Sequence, residues 1–234
     1  MGQVFQFKQF AVDQNNVPMR INTDGVLLGA QAEAESVNRI LDIGTGTGVI
    51  ALMLAQRFED AEVWGVEIDD LAAKTARMNF DQSPFTNRMH LLHSDIFHWK
   101  NDLQFDLIVS NPPFYINSLH NPDERKKIAK HTDDTFFIGM LEFAAKHLTE
   151  QGSFQLIVPV ELEDFLKTEA EKLGLVWDGQ VNIRSFADSE SFRCIIRFAR
   201  QSSEQKTEEF IIYKGRGIYS DAYNHLLQPF FLAF

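Results

Sequence analysis

Cysteine is almost absent: the 234 residues hold one, Cys194. A lone thiol makes neither a disulfide framework nor a cysteine-rich zinc site, and it suits a reducing cytosol. Inside a run that alternates like a strand it is expected to be a small core residue. No apolar run approaches the roughly 20 residues that a membrane helix needs. Met1-Gly2-Gln3-Val4-Phe5 lacks the basic patch and long apolar core of a secretory signal. A cytoplasmic chain is therefore expected. Positive charge is scarce as well. The net charge of −11 argues against broad, nonspecific attraction to nucleic acid, though a local basic patch stays open. Repeats, low-complexity segments and interdomain linkers are missing too. Residues 1–234 are expected to form one domain, and a 44% hydrophobic content gives it a full core.

Prolines number only seven, and two of them stand together in Asn111-Pro112-Pro113-Phe114. The preceding Phe105-Asp106-Leu107-Ile108-Val109-Ser110 reads as a short buried strand. Consecutive prolines forbid both a further strand and a helix, because each lacks an N–H and pushes its predecessor into extended geometry. The Asn111 side chain and the Pro112 carbonyl are thus held stiffly beyond a strand's carboxyl end, where open α/β sheets bind ligands. An amide oxygen and a carbonyl side by side can accept both hydrogens of one exocyclic amine. Phe114 offers a flat face for a base ring.

Glycine clusters in Gly44-Thr45-Gly46-Thr47-Gly48. Arg39-Ile40-Leu41-Asp42-Ile43 before it reads as a strand, and Val49 to Ala55 after it as a helix. Strand, glycine turn and helix make a cradle for an anionic or carboxylate ligand, though the spacing is G-x-G-x-G rather than G-x-G-x-x-G. A tight structural turn is the plain alternative. Ala61 to Ile68 reads as a second strand, with Glu67 at its end about 20 residues past the glycines, where an acid takes ribose hydroxyls. Asp69 is expected to cap the next helix. Met89 to His93 is a third strand. In its exit loop Asp95 can accept from an exocyclic amine with Ile96 against the ring, or simply make an Asp turn.

Further signals are weaker. Phe5 and Phe7 alternate as in an edge strand or hairpin covering the sheet. Asn22-Thr23-Asp24-Gly25 precedes an apolar run, with Thr23 or Asp24 expected as the cap; the alternative is a polar loop facing a ligand. Arg125, Lys126, Lys127 and Lys130 put four basic residues in six positions, readable as a phosphate-binding surface or as a solvated loop. A helix is expected to open at Asp133 and Asp134. Gly152 to Pro159 reads as a fifth strand, followed by a helix to Leu173, a pair of strands at Val176–Ile183 and Ser191–Arg200, and a strand at Glu208–Tyr213. Lys214 to Tyr219 reads as flexible and basic, and Tyr223 to Phe231 as a terminal helix.

The glycine loop, Glu67, Asp95 and the diproline corner all fall at carboxyl ends of strands. In this combination the sequence resembles the class I S-adenosylmethionine-dependent methyltransferases, and the Asn-Pro-Pro-Phe signature resembles the branch that methylates amino groups. Within it the chain is similar to bacterial tRNA adenine-N6 methyltransferases acting on a valine tRNA beside the anticodon. The resemblance rests on Asn22 to Leu28, Leu41 to Gly48, Asn111 to Tyr115 and the basic stretch up to His131. It implies an α/β fold: a three-layer Rossmann-like sheet, mostly parallel with an antiparallel C-terminal strand, and residues 1–38 as an extension covering the cofactor cleft. Implied for S-adenosylmethionine are Gly44, Gly46 and Gly48 around the loop, Asp42 orienting it, Glu67 on the ribose, Asp95 and Ile96 on the adenine, Thr23 and Asp24 over the methionine moiety, and Asn111 at the reactive end. Asn111, Pro112 and Phe114 would hold the target adenine. Tyr115, Arg125, Lys126, Lys127 and Lys130 would meet tRNA. No metal and no obligatory protein partner is implied. Phe114 departs from the Tyr common in the wider branch, which keeps stacking and loses a hydroxyl. Of the other acceptors in the branch, a protein glutamine usually comes with a separate N-terminal helical domain, for which about 38 residues before the first strand are too few, and a DNA adenine is expected to come with a target-recognition domain, for which the sequence shows no segment. A non-catalytic cofactor-binding RNA protein would not need Asn111.

Overall fold

The computed structural model describes residues 4–15, 17, 20–113, 124–201 and 205–233, with the backbone alone over 124–133. Eight strands form one central sheet: β3 (Arg39–Ile43), β4 (Glu62–Glu67), β5 (Met89–His93), β6 (Phe105–Ser110), β7 (Leu148–Val158), β8 (Val176–Arg184), β9 (Ser191–Ala199) and β10 (Thr207–Ile211). Their order is β10-β8-β9-β7-β6-β3-β4-β5. Within it β9 alone runs antiparallel to its neighbours β7 and β8; all other pairings are parallel.

Alternating residues divide the core into two layers, as a pleated sheet buried on both faces requires. Ile40, Val63, Leu107 and Ile157 pack with α1 (Thr23–Gln31), α2 (Val49–Arg57), Phe80 of α3 (Asp70–Asp81) and Leu227 of α6 (Asp221–Leu227). Leu41, Val66, Ile108 and Leu156 pack on the opposite face with Phe137, Met140 and Leu141 of α4 (Glu124–His147) and Leu166 and Ala170 of α5 (Glu163–Lys172). The result is the expected three-layer sheet with one antiparallel strand. Cys194 lies fully buried in β9, where burial pushes its thiol up to about 12; it is core, not chemistry.

Several boundaries differ from the sequence expectation. Asn22, not Thr23 or Asp24, caps α1, its side chain accepting from Gly25 N. Helix α4 begins at Glu124 rather than at Asp133. Residues 124–134 contain no Gly or Pro to break a helix. Lys214–Tyr219 is not irregular: β11 (Tyr213–Gly215) and β12 (Ile218–Tyr219) pair as a small hairpin. Near the N-terminus β1 (Val4–Gln6) and β2 (Ala11–Asp13) form their own hairpin beside the main sheet. Phe7 bridges to Phe231, and Phe10 stacks on Phe7 at 4.4 Å. Asp69 caps α3 as expected, accepting from Ala72 N.

Candidate active site

Strands β4 and β5 lie on one side of β3, and β6 lies on the other. The order therefore reverses between β3 and β6, and a crevice opens at their carboxyl ends. The register sets the ends level. Ile43 pairs with Val66 on one side and Ser110 on the other, and the Ser110 hydroxyl donates to the Ile43 carbonyl at 2.8 Å. Gly44 and Asn111 thus leave adjacent strands at the same height, though 67 positions apart in the chain.

A cavity of about 520 Å³ fills this crevice. Gly44, Gly46, Glu67, Asp95, Ile96, Asn111 and Pro112 line it, so seven of the residues proposed from sequence meet on one site. Its apolar wall comes from Ile43, Val66, Ala72 and Phe136. Phe136 of α4 carries no local sequence signal; its place depends on a helix crossing the opposite face of the sheet. The diproline corner faces the glycine turn, as a role in chemistry requires.

Glycine is needed in the turn for its backbone. Gly44 and Gly46 have φ of +71° and +59°, and a Cβ on either would meet nothing within 4 Å. Their open side leaves space for a ligand to approach the main chain. Gly48 (φ +84°) serves packing instead: a Cβ there would stand 2.5 Å from the Phe80 ring.

Glu67 is buried and clamps this turn. Its Oε2 accepts from Gly46 N at 2.8 Å, and its Oε1 from Ile68 N and Asp69 N, each at 2.9 Å. Asp42 is fully buried beneath the loop. The Thr45 hydroxyl donates to its Oδ2 at 2.6 Å, while Oδ1 has no hydrogen-bond partner among the described residues. Burial pushes the Asp42 carboxyl up to about 7, against the Thr45 hydroxyl, which favours the charge. Asp95 accepts from Phe97 N and contacts His98 Nδ1, both at 2.9 Å, with Ile96 buried beside it. The Asp turn of the sequence reading is thus present, and Ile96 lines the cavity beside it.

Thr23 and Asp24 stand in the first turn of α1, and neither is among the cavity-lining residues; Asp24 is held by Arg193 at 2.9 Å. Phe114 and Tyr115 lie outside the described residues. Arg125, Lys126, Lys127 and Lys130 fall in the first two turns of α4, where the backbone alone is described. Asn22 went unmarked as a site residue, yet its Oδ1 lies 3.5 Å from Asn111 Nδ2. Among the described residues no cluster could hold a metal, and no helix is long and apolar enough to cross a membrane.

Comparison with known proteins agrees with this geometry. The methyltransferase small domain matches residues 21–174. A tRNA1(Val) (adenine(37)-N6)-methyltransferase of Pedobacter heparinus is 46% identical over 234 residues, covering 100% of both chains. Its namesake in Bacteroides thetaiotaomicron is 38% identical, covering 97% of each. Among solved structures, a predicted O-methyltransferase of Agrobacterium tumefaciens superposes with a TM-score of 0.67 at 19% identity, over 88% of this chain and 96% of that one; it attests the fold. With its crevice at the sheet's switch point and full-length relatives of one name, this chain belongs to the methyltransferase small domain family, in the group of the tRNA1(Val) (adenine(37)-N6)-methyltransferases.

Proposed function

We propose that this protein transfers a methyl group from S-adenosylmethionine to the exocyclic N6 of adenine 37 in a valine tRNA. One observation carries the reading: the Asn111-Pro112 corner lines the same cavity as the glycine turn and Glu67. The names of the full-length relatives supply the RNA and the base. tRNA as substrate places the working enzyme in the cytoplasm. The whole chain acts as one domain, with residues 1–38 as an extension beside the cleft.

The residues present fit the cofactor. Gly44 and Gly46 leave an open cradle over their main chain. Glu67 is a buried carboxylate already oriented by three N–H groups, and the acceptor site left on Oε2 can take a ribose hydroxyl. Asp95 can accept from the adenine amine while Ile96 packs on its ring. Gly48 and Asp42 support the loop from below; Thr23 and Asp24, outside the cavity lining, are left without a direct part in holding the cofactor. When bound, the cofactor supplies a sulfonium methyl carbon and leaves as a neutral thioether.

The target adenine leaves its stack and enters the cleft, as chemistry on a base requires, with Phe114 as the stacking face. Asn111 Oδ1 and the Pro112 carbonyl accept its two N6 hydrogens. N6 is a weak nucleophile because its lone pair is delocalised into the ring. Two fixed acceptors oppose that delocalisation and point the lone pair at the methyl carbon, so orientation and preset dipoles supply the rate. Once methylated, N6 would be cationic and would give one of the protons held by Asn111 and Pro112 to water. Tyr115, Arg125, Lys126, Lys127 and Lys130 meet the tRNA.

Asn111→Ala tests the reading. Methyl transfer from labelled cofactor to an unmodified valine-tRNA transcript is expected to fall by at least ~100-fold, with cofactor affinity retained in calorimetry. Near-normal turnover overturns the mechanism. Methylation of bulk RNA at some other nucleoside overturns the substrate.

A further inference from the structure

We infer that Asn22 is a positioning residue for Asn111: it decides which end of the Asn111 amide faces the cleft. The inference deepens the proposed function and rests on its reading of Asn111 Oδ1 as an acceptor for the adenine amine.

An asparagine side chain has two ends of similar shape and opposite hydrogen-bonding sense. Only the oxygen can accept from N6; an NH2 in its place would meet the substrate's hydrogens with its own. Some group must therefore select the orientation. The selection runs from the backbone. Gly25 N–H donates to Asn22 Oδ1 at 2.8 Å in the cap of α1. An amide nitrogen cannot accept that bond, so Asn22 is locked with its oxygen at the helix end. The same oxygen lies 3.5 Å from Asn111 Nδ2. Turned over, Asn111 would set oxygen against oxygen. The NH2 end therefore stays with Asn22, which leaves Oδ1 as the end free to accept from a substrate amine in the cavity that Asn111 lines. A Cβ on Gly25 would lie 3.5 Å from Asn22 Oδ1 and 3.6 Å from Asn111 Nδ2, so the three residues form a single contact.

At 3.5 Å the bond is longer than the usual 2.7–3.2 Å. It is weak as it stands, but hydrogen bonds of an active site are often long before substrate binds and tighten in the complex. An amine donating to Oδ1 polarises the amide and strengthens the donation from Nδ2 to Asn22. Asn22 would thus hold Asn111 most firmly when the base is in place.

Two substitutions separate this role from simple capping. Serine, aspartate and asparagine cap helices about equally well. Asn22→Ser keeps the cap, but its side chain is one atom too short to reach Asn111. Asn22→Asp keeps oxygens for both Gly25 and Asn111. With the full chain, labelled cofactor and valine-tRNA transcript, Asn22→Ser is expected to lower kcat about tenfold, with KM for tRNA, cofactor affinity and thermal midpoint unchanged. Asn22→Asp is expected to recover kcat to within about twofold of the parent. Unchanged kcat in Asn22→Ser overturns the inference, and so does an equal loss in both variants. An Asn111→Ala protein assayed beside them separates the two levels: if it keeps turnover, the acceptor reading itself is wrong; if it is inactive while Asn22→Ser is not, only the positioning role fails.

Discussion

Arg193 Nε donates to Asp24 Oδ2 at 2.9 Å, joining residues 169 positions apart. Asp24 lies in the first turn of α1 and Arg193 in β9, the antiparallel strand. Both side chains are largely buried, 20% and 27% exposed, so this pair is worth more than one on an open surface. It clips the start of α1 to the sheet and so steadies Asn22, two residues before Asp24. Asp24→Asn is expected to cost about 1–3 kcal/mol in chemical denaturation, because a partly buried guanidinium loses its charged partner. A double-mutant cycle with Arg193→Met isolates the coupling. Additive losses would show that the pair contributes nothing.

Glu67→Gln alters the cleft without changing its size. A carboxylate accepts at both oxygens; an amide accepts at one. Whichever way Gln turns, it fails either Gly46 N or the Ile68 and Asp69 amides, all of which Glu67 now satisfies. The expected outcome is a loss of cofactor affinity of at least ~10-fold in calorimetry, together with about 1–3 kcal/mol of stability. A variant that binds cofactor normally would remove Glu67 from the ribose site.

Asp42 predicts a pH dependence. Its carboxyl is raised from an ordinary 3.8 to about 7 by burial. The folded protein therefore holds a proton there that the unfolded chain has released. Between these values the unfolded state binds fewer protons, so stability falls as pH rises from about 4 to about 7 and levels off above. The contribution is greatest below the unfolded value and is lost through the folded one. Thermal midpoints across this range, compared with Asp42→Asn, isolate the slope. An identical profile in the variant would assign the dependence to other groups.

The basic turns at the start of α4 predict a salt effect. Lys126→Glu with Lys127→Glu is expected to weaken tRNA binding and to reduce the slope of log affinity against log salt by about one per lost phosphate contact. Filter binding at several salt concentrations measures both. Unchanged affinity would make the patch a solvated helix end.

Local chemistry was legible because short segments enforce it. A strand, three glycines and an apolar helix leave the backbone one way to turn, and two prolines leave Asn111 one stiff position. Hence the glycine turn, Glu67, Asp95 and the corner, which line one cavity, could be named from residue types and spacing. The cap of α1 falls on Asn22, one residue before the expected Thr23 or Asp24, since all three residue types can accept from a helix amide. The start of α4 was misplaced because charged residues suit a loop and a helix surface alike. The hairpin at Lys214–Tyr219 was read as irregular for a related reason: glycines mark both flexible segments and tight turns.

By itself, then, the sequence determined most of the elements, the glycine turn and the stiff diproline corner, because these depend on contacts within a few residues of each other. Only the tertiary structure decided that Ile43, Val66 and Ser110 stand level, that Phe136 reaches the cleft, that Arg193 holds Asp24, and that Asn22 meets Asn111. Those relationships join positions up to 169 apart in the chain. They depend on strand order and register, which are set by the packing of the whole sheet and not by any one segment.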